Sequence, residues 1–506
     1  MNRNVAEAEA DRPIEPEASP ARSGPAAGKD MSPAEFRQFG HRLIEWVAGF
    51  LEDPDSWRVL PDVRPGDLLA GLPDASPAEP EPFDRVLDDF ERLIPPATTH
   101  WNHPGFMAYF ATTGSGPGIL AELLTAALNA QAMLWRTGPA ATELEQAMTG
   151  WLLRLMGLPP GWEGTINDTA STSTLYALAA ARESLVDLDI TDSGMAGRAL
   201  PPLRVYCSAE AHSSVDRAVM TLGLGRTGVR RIRTDPELRM DPHALETAIG
   251  DDSAAGIRPM AVVATTGTTS STAIDPVPAI AGICKDHDVW LHVDAAYGGP
   301  AAILPEMRYI MDGCDRADSL VVNPHKWLFV PMDCSVLYTR HPAVLRRAFA
   351  VSPEYLKTPE GDTVRNLSDA GLALGRRFRA LKLWFVIRYF GQSGIRAALR
   401  EHLRLATLFA SWVDADPDFE RLAPSPFSVV VFRWRPGQGS EEAVLESANA
   451  RILEHVNASG EVFLSHTKLG GRYGIRLAVG NLRTEERHVR RAWELIREAA
   501  DRLPAD

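Results

Sequence analysis

Four side chains capable of acid–base or nucleophilic chemistry each follow a short apolar run of the sequence. An imidazole, a hydroxyl, a carboxylate and an amine are groups that proton transfer and covalent catalysis use. The four residues are His212 after 205–208, Thr269 after 260–266, Asp294 after 289–293 and Lys326 after 319–322. Runs of this length and composition predict buried β-strands. Because ligands of open α/β sheets bind at the carboxyl ends of strands, we expect the four groups to face one crevice.

Each of these residues also has an ordinary structural explanation. A lone histidine is more often a hydrogen-bonded polar residue than a catalyst, and an aspartate after a strand is often a turn former. Lys326 is different, because an apolar run precedes it and Trp-Leu-Phe-Val follows it at 327–330. A partly buried lysine has a lowered pKa and is a good amine for Schiff-base formation. If none of the four residues were catalytic, four unrelated structural roles would have to coincide at one edge of one sheet. A shared catalytic site is the simpler explanation.

A phosphate-binding segment is predicted at the same edge. The Ser/Thr-rich sequence at 167–174 opens a helix over 175–183. Such a helix start offers free backbone N–H groups, hydroxyls and the positive end of the helix dipole. No Gly-rich dinucleotide or Walker motif follows a strand, so those phosphate sites lack support.

Together these groups match the requirements of pyridoxal-5'-phosphate (PLP). Lys326 would form a Schiff base with its aldehyde, and Asp294 would keep its pyridine nitrogen protonated so that the ring acts as an electron sink. His212 would stack on that ring. The phosphate would bind at Thr169, Ala170 and Ser171, with help from Thr269, Ser319 or Asn323.

The elements that must position these residues predict an α/β fold. Strands alternate with helices such as 277–286 after about residue 116, which indicates a mainly parallel sheet covered on both faces. Two earlier helices, beginning at Ser32 and at Phe83, are too few to enclose a core, so we expect them to pack on another domain or subunit. The later elements predict a small α+β domain: helix 375–414, strand 427–434, helix 442–456, strand 473–479 and helix 488–500.

Composition excludes several classes of protein. With 45% hydrophobic and 23% charged residues among 506, the chain has the composition of a globular protein. Its net charge of −14 argues against nucleic acid and anionic membranes as partners, and no apolar run approaches the ~20 residues of a membrane span. Four widely spaced cysteines argue against disulfides and a zinc site. The N-terminus has no apolar signal-peptide region, so a cytoplasmic enzyme without a metal is expected.

Three motifs carry a family resemblance. The sequences A-H-S-S at 211–214, H-V-D-A-A-Y at 292–297 and N-P-H-K-W at 323–327 resemble signatures of group II PLP-dependent amino-acid decarboxylases. The motifs that contain Asp294 and Lys326 place these residues 32 positions apart (326 − 294), as in that family. The resemblance extends from about residue 32 to 503 and is to aromatic-L-amino-acid decarboxylase and its relatives for tryptophan, tyrosine and histidine.

The resemblance implies a fold-type-I homodimer with active sites shared at the subunit interface. The implied organisation is a disordered tail (1–30), an N-terminal helical dimer-clasp segment (31–115), a large PLP-binding domain (116–395) with a seven-stranded, mainly parallel sheet, and a small C-terminal domain (396–506). Lys326, His212 and Asp294 are the implied catalytic residues. The expected cofactor contacts are Thr169, Ala170, Ser171, His212, Thr269, Asp294, Ala296, Ser319, Asn323, His325 and Lys326. The expected substrate contacts are Trp101, Tyr109, Phe110, Thr112, Met133 and His212.

One departure from the family bears on the product. The family places a catalytic tyrosine on a mobile loop shortly before a G-R-R-F-R sequence, here at 375–379, and that position counts to Leu367, with Tyr355 the nearest tyrosine. The predicted reaction is decarboxylation of an L-amino acid, an aromatic one favoured, to the amine and carbon dioxide. Because leucine cannot donate a proton, the alternative is an aldehyde synthase that releases aldehyde, ammonia and peroxide. A catalytically silent binding or regulatory subunit is disfavoured by the retention of Lys326, Asp294 and His212.

Overall fold

The computed structural model describes residues 28–351, 354, 358–437 and 441–503. The predicted tail over 1–30 therefore lies almost wholly outside the described residues, and Tyr355 lies outside them as well. The described helices are α1 (Pro33–Glu52), α2 (Asp67–Gly71), α3 (Phe83–Leu93), α4 (Gly116–Leu128), α5 (Pro139–Leu155), α6 (Ala170–Ser184), α7 (Ile190–Ser193), α8 (Ser214–Thr221), α9 (Pro242–Ala254), α10 (Val277–Asp286), α11 (Pro324–Trp327), α12 (Pro342–Phe349), α13 (Ala380–Ala415), α14 (Glu442–Ser459) and α15 (Glu486–Asp501). The strands are β1 (Glu163–Asn167), β2 (Leu203–Ser208), β3 (Val229–Ile232), β4 (Arg258–Thr265), β5 (Trp290–Asp294), β6 (Ser319–Val322), β7 (Ser335–Thr339), β8 (Phe419–Arg421), β9 (Val429–Trp434), β10 (Ser465–Leu469) and β11 (Arg472–Ala478).

The described part of a small N-terminal unit comprises residues 28–53 and 61–99. Its helix α1 begins with a capping box, in which the Ser32 side chain accepts the N–H of Glu35 and the Glu35 side chain accepts the N–H of Ser32. Aromatic contacts join α1 to α3, and the ring centroids of Trp46 and Phe90 are 5.0 Å apart. No residue of α1 is buried, which agrees with the expectation that these helices lack a core of their own.

The large second unit, residues 54–60 and 100–506, contains a seven-stranded sheet of order β1-β7-β6-β5-β4-β2-β3. The strands from β3 to β6 run parallel, whereas β7 is antiparallel to both β6 and β1. The predicted mainly parallel, seven-stranded α/β architecture is therefore confirmed. In register, Thr265 of β4, Asp294 of β5 and Val321 of β6 lie side by side, so these three strands end at one edge.

Alternating side chains of β5 face two different layers. Trp290 belongs to a buried cluster that includes Ala177 of α6, whereas Leu291 and Val293 belong to the cluster on the opposite face. Since the side-chain period of a strand is two, His292 and Asp294 share the α6 face with Trp290. The cofactor-binding expectations at 169–171 and at Asp294 are thus placed on the same side of the sheet.

A second, antiparallel sheet of order β10-β11-β9-β8 forms the core of the C-terminal part with α14 and α15. The long helix α13 contacts α4 and α5 of the large sheet region and also β8, β9 and α15. It is interrupted at Gly391, whose φ of 59° and ψ of 178° are not helical. The predicted C-terminal α+β arrangement is confirmed, with helix and strand ends within a few residues of the expected positions.

Leu367 is a core residue, which corrects the prediction that it occupies a mobile loop. It begins a 3₁₀ turn over Leu367–Ala370, its side chain is completely buried, and it belongs to the main hydrophobic cluster. The next residue, Ser368, donates its backbone N–H to the carbonyl of Met133 at 3.0 Å. The distance from the G-R-R-F-R sequence at 375–379 therefore led to a residue of the hydrophobic core, which is not accessible to a substrate. An acid at residue 367 would be enclosed by apolar groups.

Replacing Leu367 by tyrosine is expected to destabilise the protein without supplying a proton donor to the substrate. Inserting a larger side chain into a packed core costs typically 1–3 kcal/mol, and its hydroxyl would also need a buried partner. Thermal and urea unfolding of Leu367→Tyr and of the volume-matched control Leu367→Met would measure this cost. A tyrosine variant as stable as the methionine variant would contradict the buried position.

Candidate active site

Lys326 lies in the short helix α11, directly after β6, in apolar and aromatic surroundings. Its Nζ is 5.0 Å from the ring centroid of Phe110, and Trp327 to Val330 are each at most 1% exposed. Burial lowers the pKa of Lys326, Asp294 opposes that shift, and Arg476 adds to it. A lysine with a lowered pKa presents more of the unprotonated amine that Schiff-base chemistry requires.

Asp294 occupies the carboxyl end of β5 and is 7% exposed. Its Oδ1 accepts the backbone N–H of Ala296 at 3.0 Å, which orients the carboxylate. Ala296 in turn packs against Ala170 at the start of α6. The carboxylate and the helix start that were predicted to bind one ligand are therefore neighbours.

The start of α6 has the geometry of an anion-binding helix terminus. Thr169 is the N-cap, and its hydroxyl accepts the N–H of Thr172 at 3.5 Å. Ala170 is nearly buried and Ser171 is partly exposed. Thr169 to Ser171 thus lie where their backbone N–H groups and the helix dipole can attract a phosphate.

Two histidines near Lys326 are held in defined tautomers. His212 Nδ1 accepts the N–H of Ser214 at 3.1 Å, and His325 Nδ1 accepts the N–H of Cys334 at 2.8 Å. Each neutral ring then carries its proton on Nε2. Burial lowers the pKa of His212, on which the charges of Asp294 and Lys326 also act, and burial lowers the pKa of His325 to about 3. Both imidazoles are neutral donors at neutral pH.

Two predicted cofactor residues are placed differently from the others. Ser319 begins β6 and lies at the opposite end of that strand from Asn323, so its hydroxyl is not at the carboxyl edge. The Ser319 side chain is fully buried and accepts the indole N–H of Trp290 at 2.8 Å. Thr269 is exposed on the turn after β4, whereas the neighbouring Thr268 is buried. A cofactor contact of Ser319 therefore remains a prediction, and in this structure its hydroxyl is bonded within the sheet.

An aromatic side chain, Phe110, lies next to Lys326, and two further predicted substrate contacts are aromatic. Trp101 and Tyr109, 37% and 52% exposed, stack at 6.0 Å with an interplanar angle of 19°. Phe110 stacks at 3.8 Å on Tyr297, the tyrosine of the H-V-D-A-A-Y motif. Thr112 is partly buried two residues after Phe110. These residues form the surface described below as the aromatic wall: Trp101, Tyr109 and Phe110.

Met133 is tied to a different part of the chain. Its carbonyl accepts the hydrogen bond from Ser368, and the adjacent Ala132 donates its N–H to the carbonyl of Arg376 at 3.0 Å. The side chain of Gln131 accepts the N–H of Arg376 at 2.6 Å. These bonds fix the segment around Met133 to residues 367–376.

Arg476, in the middle of β11, is a functional candidate that the sequence reasoning missed. Its side chain is 4% exposed, and its Cζ is 4.6 Å from the ring centroid of Phe110, the ring that Lys326 also approaches. Nη1 donates to the carbonyl of Tyr109, whereas Nε and Nη2 are buried without partners in the described part of the chain. Burial lowers the pKa of Arg476 to about 10, so the guanidinium stays charged. An arginine between Ile475 and Leu477, within the buried part of a strand, was the signal that could have found it.

The polar atoms at this edge fit PLP. Among the described residues, Thr265 Oγ1 is buried without a hydrogen-bond partner at the end of β4, and the side-chain amide of Asn323, directly after β6, lies 3.3 Å from His325 Nε2. An amine, a carboxylate, a helix N-terminus and these polar atoms are the donor and acceptor set of a PLP site. Within the same part of the chain, no cluster of histidine, cysteine and carboxylate side chains could hold a metal ion, and no helix has the length and apolarity to cross a membrane.

Comparisons with known proteins agree with this site. The family profile described as the pyridoxal-dependent decarboxylase conserved domain matches residues 65–435. A tryptophan decarboxylase of Camptotheca acuminata is 39% identical over 485 residues, covering 94% of this chain and 96% of that protein. A phenylacetaldehyde synthase of Arabidopsis thaliana is 38% identical over 94% of this chain and 98% of its own length. The structure of Oryza sativa TDC with PLP and tryptamine matches with a TM-score of 0.90 and 36% identity, over 94% of this chain and 99% of that chain.

The partly buried lysine after β6, the carboxylate at the end of β5 and the profile that spans most of the sequence lead to one assignment. The chain belongs to the pyridoxal-dependent decarboxylase family and is a PLP-dependent amino-acid decarboxylase.

Proposed function

We propose that this decarboxylase converts an aromatic L-amino acid to the corresponding amine and carbon dioxide. The observation that carries the proposal is the aromatic wall, whose Phe110 ring lies directly beneath Lys326 Nζ. Flat apolar side chains favour an aromatic substrate side chain, because ring pairs gain energy beyond simple burial. Relatives named as tryptophan and tyrosine decarboxylases support the same substrate class.

The protein groups divide the work of holding the cofactor. Lys326 is the amine for covalent attachment, Asp294 the acceptor for the pyridine N–H, and the start of α6 the phosphate site. His212, which carries its proton on Nε2, is positioned to stack on the ring and to donate towards the substrate. When bound, PLP supplies an electron sink for the negative charge left at Cα as carbon dioxide departs.

Arg476 is proposed to attract the substrate carboxylate. Two of its buried nitrogens lack partners in the described part of the chain, and leaving them so would be costly. The cofactor phosphate would bind at the start of α6, away from Arg476. The carboxylate of the amino-acid substrate is then the anion that still needs a cationic partner, and Arg476 can supply it. The guanidinium lies over Phe110 and therefore draws the substrate to the same ring that Lys326 approaches.

A homodimer with shared active sites is also proposed. Four leucines on one face of α4 are 44–63% exposed, an apolar surface of the kind that interfaces cover. They are Leu120, Leu123, Leu124 and Leu128. In a shared site, the segment of Met133 would reach the substrate pocket of the second subunit.

The four buried free cysteines support a reducing compartment, and we propose the cytoplasm.

An aldehyde synthase is the second candidate, because phenylacetaldehyde and 4-hydroxyphenylacetaldehyde synthases are among the relatives. Because Leu367 is buried, it is not the residue that corresponds to the family's loop tyrosine. The absence of an acid at residue 367 is then no argument for an aldehyde product. Tyr355 then becomes the candidate for that acid, on the strength of the family resemblance alone.

Removing Lys326 tests the attachment site. Lys326→Ala is expected to abolish covalent cofactor attachment and to reduce turnover by at least about 10²-fold, since covalent and acid–base functions are both lost. Peptide mass spectrometry after borohydride reduction locates the modified lysine. The buried Lys382 is the internal control, and cofactor fixed there would refute the assignment.

Product analysis with Tyr355→Phe tests the reaction. With tryptophan, tyrosine, phenylalanine and histidine as substrates, the unmodified enzyme is expected to give amine and carbon dioxide with little aldehyde or peroxide. Loss of a general acid costs about 10²–10⁴-fold in protonation rate, so the phenylalanine variant should release more aldehyde and peroxide in air. Aldehyde and peroxide as the main products of the unmodified enzyme would support the aldehyde synthase instead, whereas equally little aldehyde from both proteins would exclude Tyr355 as the acid.

Replacing Arg476 by methionine separates its role from that of the cofactor site. Hydrogen bonds to a charged group contribute about 1.5–3 kcal/mol, so Arg476→Met should raise KM for the amino acid about 10- to 100-fold. PLP affinity should change little, because the cofactor phosphate is bound elsewhere. The exposed Arg404, paired with Glu401, provides the control Arg404→Met. A normal KM in Arg476→Met would exclude the carboxylate as its partner.

A charge on the apolar face of α4 tests the dimer. Leu124→Glu is expected to give inactive monomers, because it places a carboxylate in the proposed interface. Light scattering and activity would be measured together. Val186→Glu, at a position that is 70% exposed, should remain dimeric and active. An active monomer in either the parent or Leu124→Glu would show that the sites are not shared.

A further inference from the structure

His292 is a buried histidine on the strand that ends at Asp294. It precedes Asp294 by two residues on β5, so both side chains emerge on the face covered by α6. Its side chain is completely buried. None of the roles proposed above uses it, although it lies one strand position below the carboxylate that is to hold the pyridine nitrogen.

Hydrogen bonds from two neighbours determine which ring nitrogen of His292 carries the proton. The indole N–H of Trp290 donates to Ser319 Oγ at 2.8 Å, and Ser319 Oγ lies 2.9 Å from Nδ1 of His292. An indole N–H can only donate, so Ser319 accepts from it, and within the described part of the chain Nδ1 of His292 is the acceptor available to the Ser319 hydroxyl hydrogen. Because burial lowers the pKa of His292 to about 4, the ring is neutral and its proton is on Nε2.

The Nε2–H of His292 is left without a partner. It is buried and makes no hydrogen bond within the described part of the chain, a situation that costs about 1–3 kcal/mol for a polar group. The charge that acts on this ring is that of Asp294. On one face of one strand, the two side chains are separated by only two residues, about 7 Å along the backbone.

We infer that His292 is a positioning residue for Asp294, whose carboxylate it supports through Nε2–H by way of one bridging water. Trp290 and Ser319 fix the tautomer that makes this possible. The inference rests on the proposed role of Asp294 as acceptor for the pyridine N–H. Ala296 N–H already fixes Oδ1, and the added donor would orient the other oxygen towards the cofactor.

A neutral donor suits this position better than a cation would. A positive charge next to Asp294 would reduce its attraction for the protonated pyridine nitrogen, whereas a neutral N–H orients the carboxylate and leaves its charge available. Partners of this kind around a metal site typically change affinity 10- to 100-fold when removed. We expect an effect of the same order on PLP affinity.

The test measures PLP binding to the apoenzyme, which needs no substrate. His292→Phe keeps the ring shape and removes both nitrogens, His292→Gln restores a donor, and Ser319→Ala releases the tautomer. His341→Phe is the control, since that ring also lies beside Trp290, at 5.2 Å, but is bonded to Asp318. Asp294→Ala is the reference for complete loss. The readouts are the PLP dissociation constant, the absorption spectrum of the bound cofactor, and kcat and KM.

His292→Phe is expected to weaken PLP binding about 10- to 100-fold, to change the cofactor spectrum towards that of Asp294→Ala and to lower kcat more than KM. His292→Gln should recover part of the affinity, and Ser319→Ala should fall between the parent and His292→Phe. Parent-like affinity and spectrum in folded His292→Phe would overturn the inference. If His292→Phe does not fold, parent-like values in both other variants would overturn it. Normal PLP binding by Asp294→Ala would remove the proposed role of Asp294, and the inference with it, whereas an unexpected substrate would leave the PLP titrations unaffected.

Discussion

The structure depends on holding a partly buried amine, a buried carboxylate and a buried guanidinium near one edge of a sheet. Burial alone disfavours every one of these charges. Burial lowers the pKa of Lys326. The carboxylate of Asp294 accepts a backbone N–H, and the guanidinium of Arg476 lies over an aromatic ring. None of the three forms an ion pair with another in the described chain. The site is therefore a set of unsatisfied charges that a charged cofactor and a zwitterionic substrate can complete.

The parallel sheet makes this arrangement possible. Strands that are buried on both faces exclude water from their sides, so polar groups gather where the strands end. Register places Thr265 and Val321 on either side of Asp294, and α11 begins directly after β6. The N-terminus of α6 meets the same edge through the contact between Ala170 and Ala296. A helix dipole, a carboxylate and an amine are thereby brought together by backbone geometry, without a dedicated loop to carry each of them.

The parts of the fold that the sequence predicted are those with a local signal. Four central strands were recognised because fully buried parallel strands appear as continuous apolar runs. The strands β1, β3 and β7 of the large sheet and β8 and β10 of the small sheet were missed. For example, β1 is short and mixed in polarity and pairs antiparallel with a strand far along the chain. Local motifs pointed to Lys326, Asp294 and His212, which act on one another electrostatically in the folded chain. Three-dimensional information was needed for Leu367, whose burial depends on the packing of the core.

Arg476 shows most clearly why part of the site was out of reach. It is 150 residues beyond Lys326 in the sequence (476 − 326) and belongs to a different sheet, yet both contact Phe110. Its neighbourhood reads as an ordinary β-strand, and only the folded chain shows that its nitrogens are buried and unpaired. Distances between elements of separate sheets are set by the packing of the whole core, which no short motif encodes.

The contacts between the two sheets also limit how such enzymes can recombine. Tyr297 of the large sheet region is bonded through its hydroxyl to Ser428 at 2.7 Å, and its ring also meets Phe427 and Phe110. A chimera joined at Gly391, where α13 is interrupted, would take Lys326 from one parent and Arg476 from the other. It would inherit a working pocket only if the ring and hydroxyl partners of Tyr297 matched across the junction. Relatives can therefore exchange their C-terminal parts only if the partners of Tyr297 are compatible. We expect Tyr297, Phe427 and Ser428 to be inherited together.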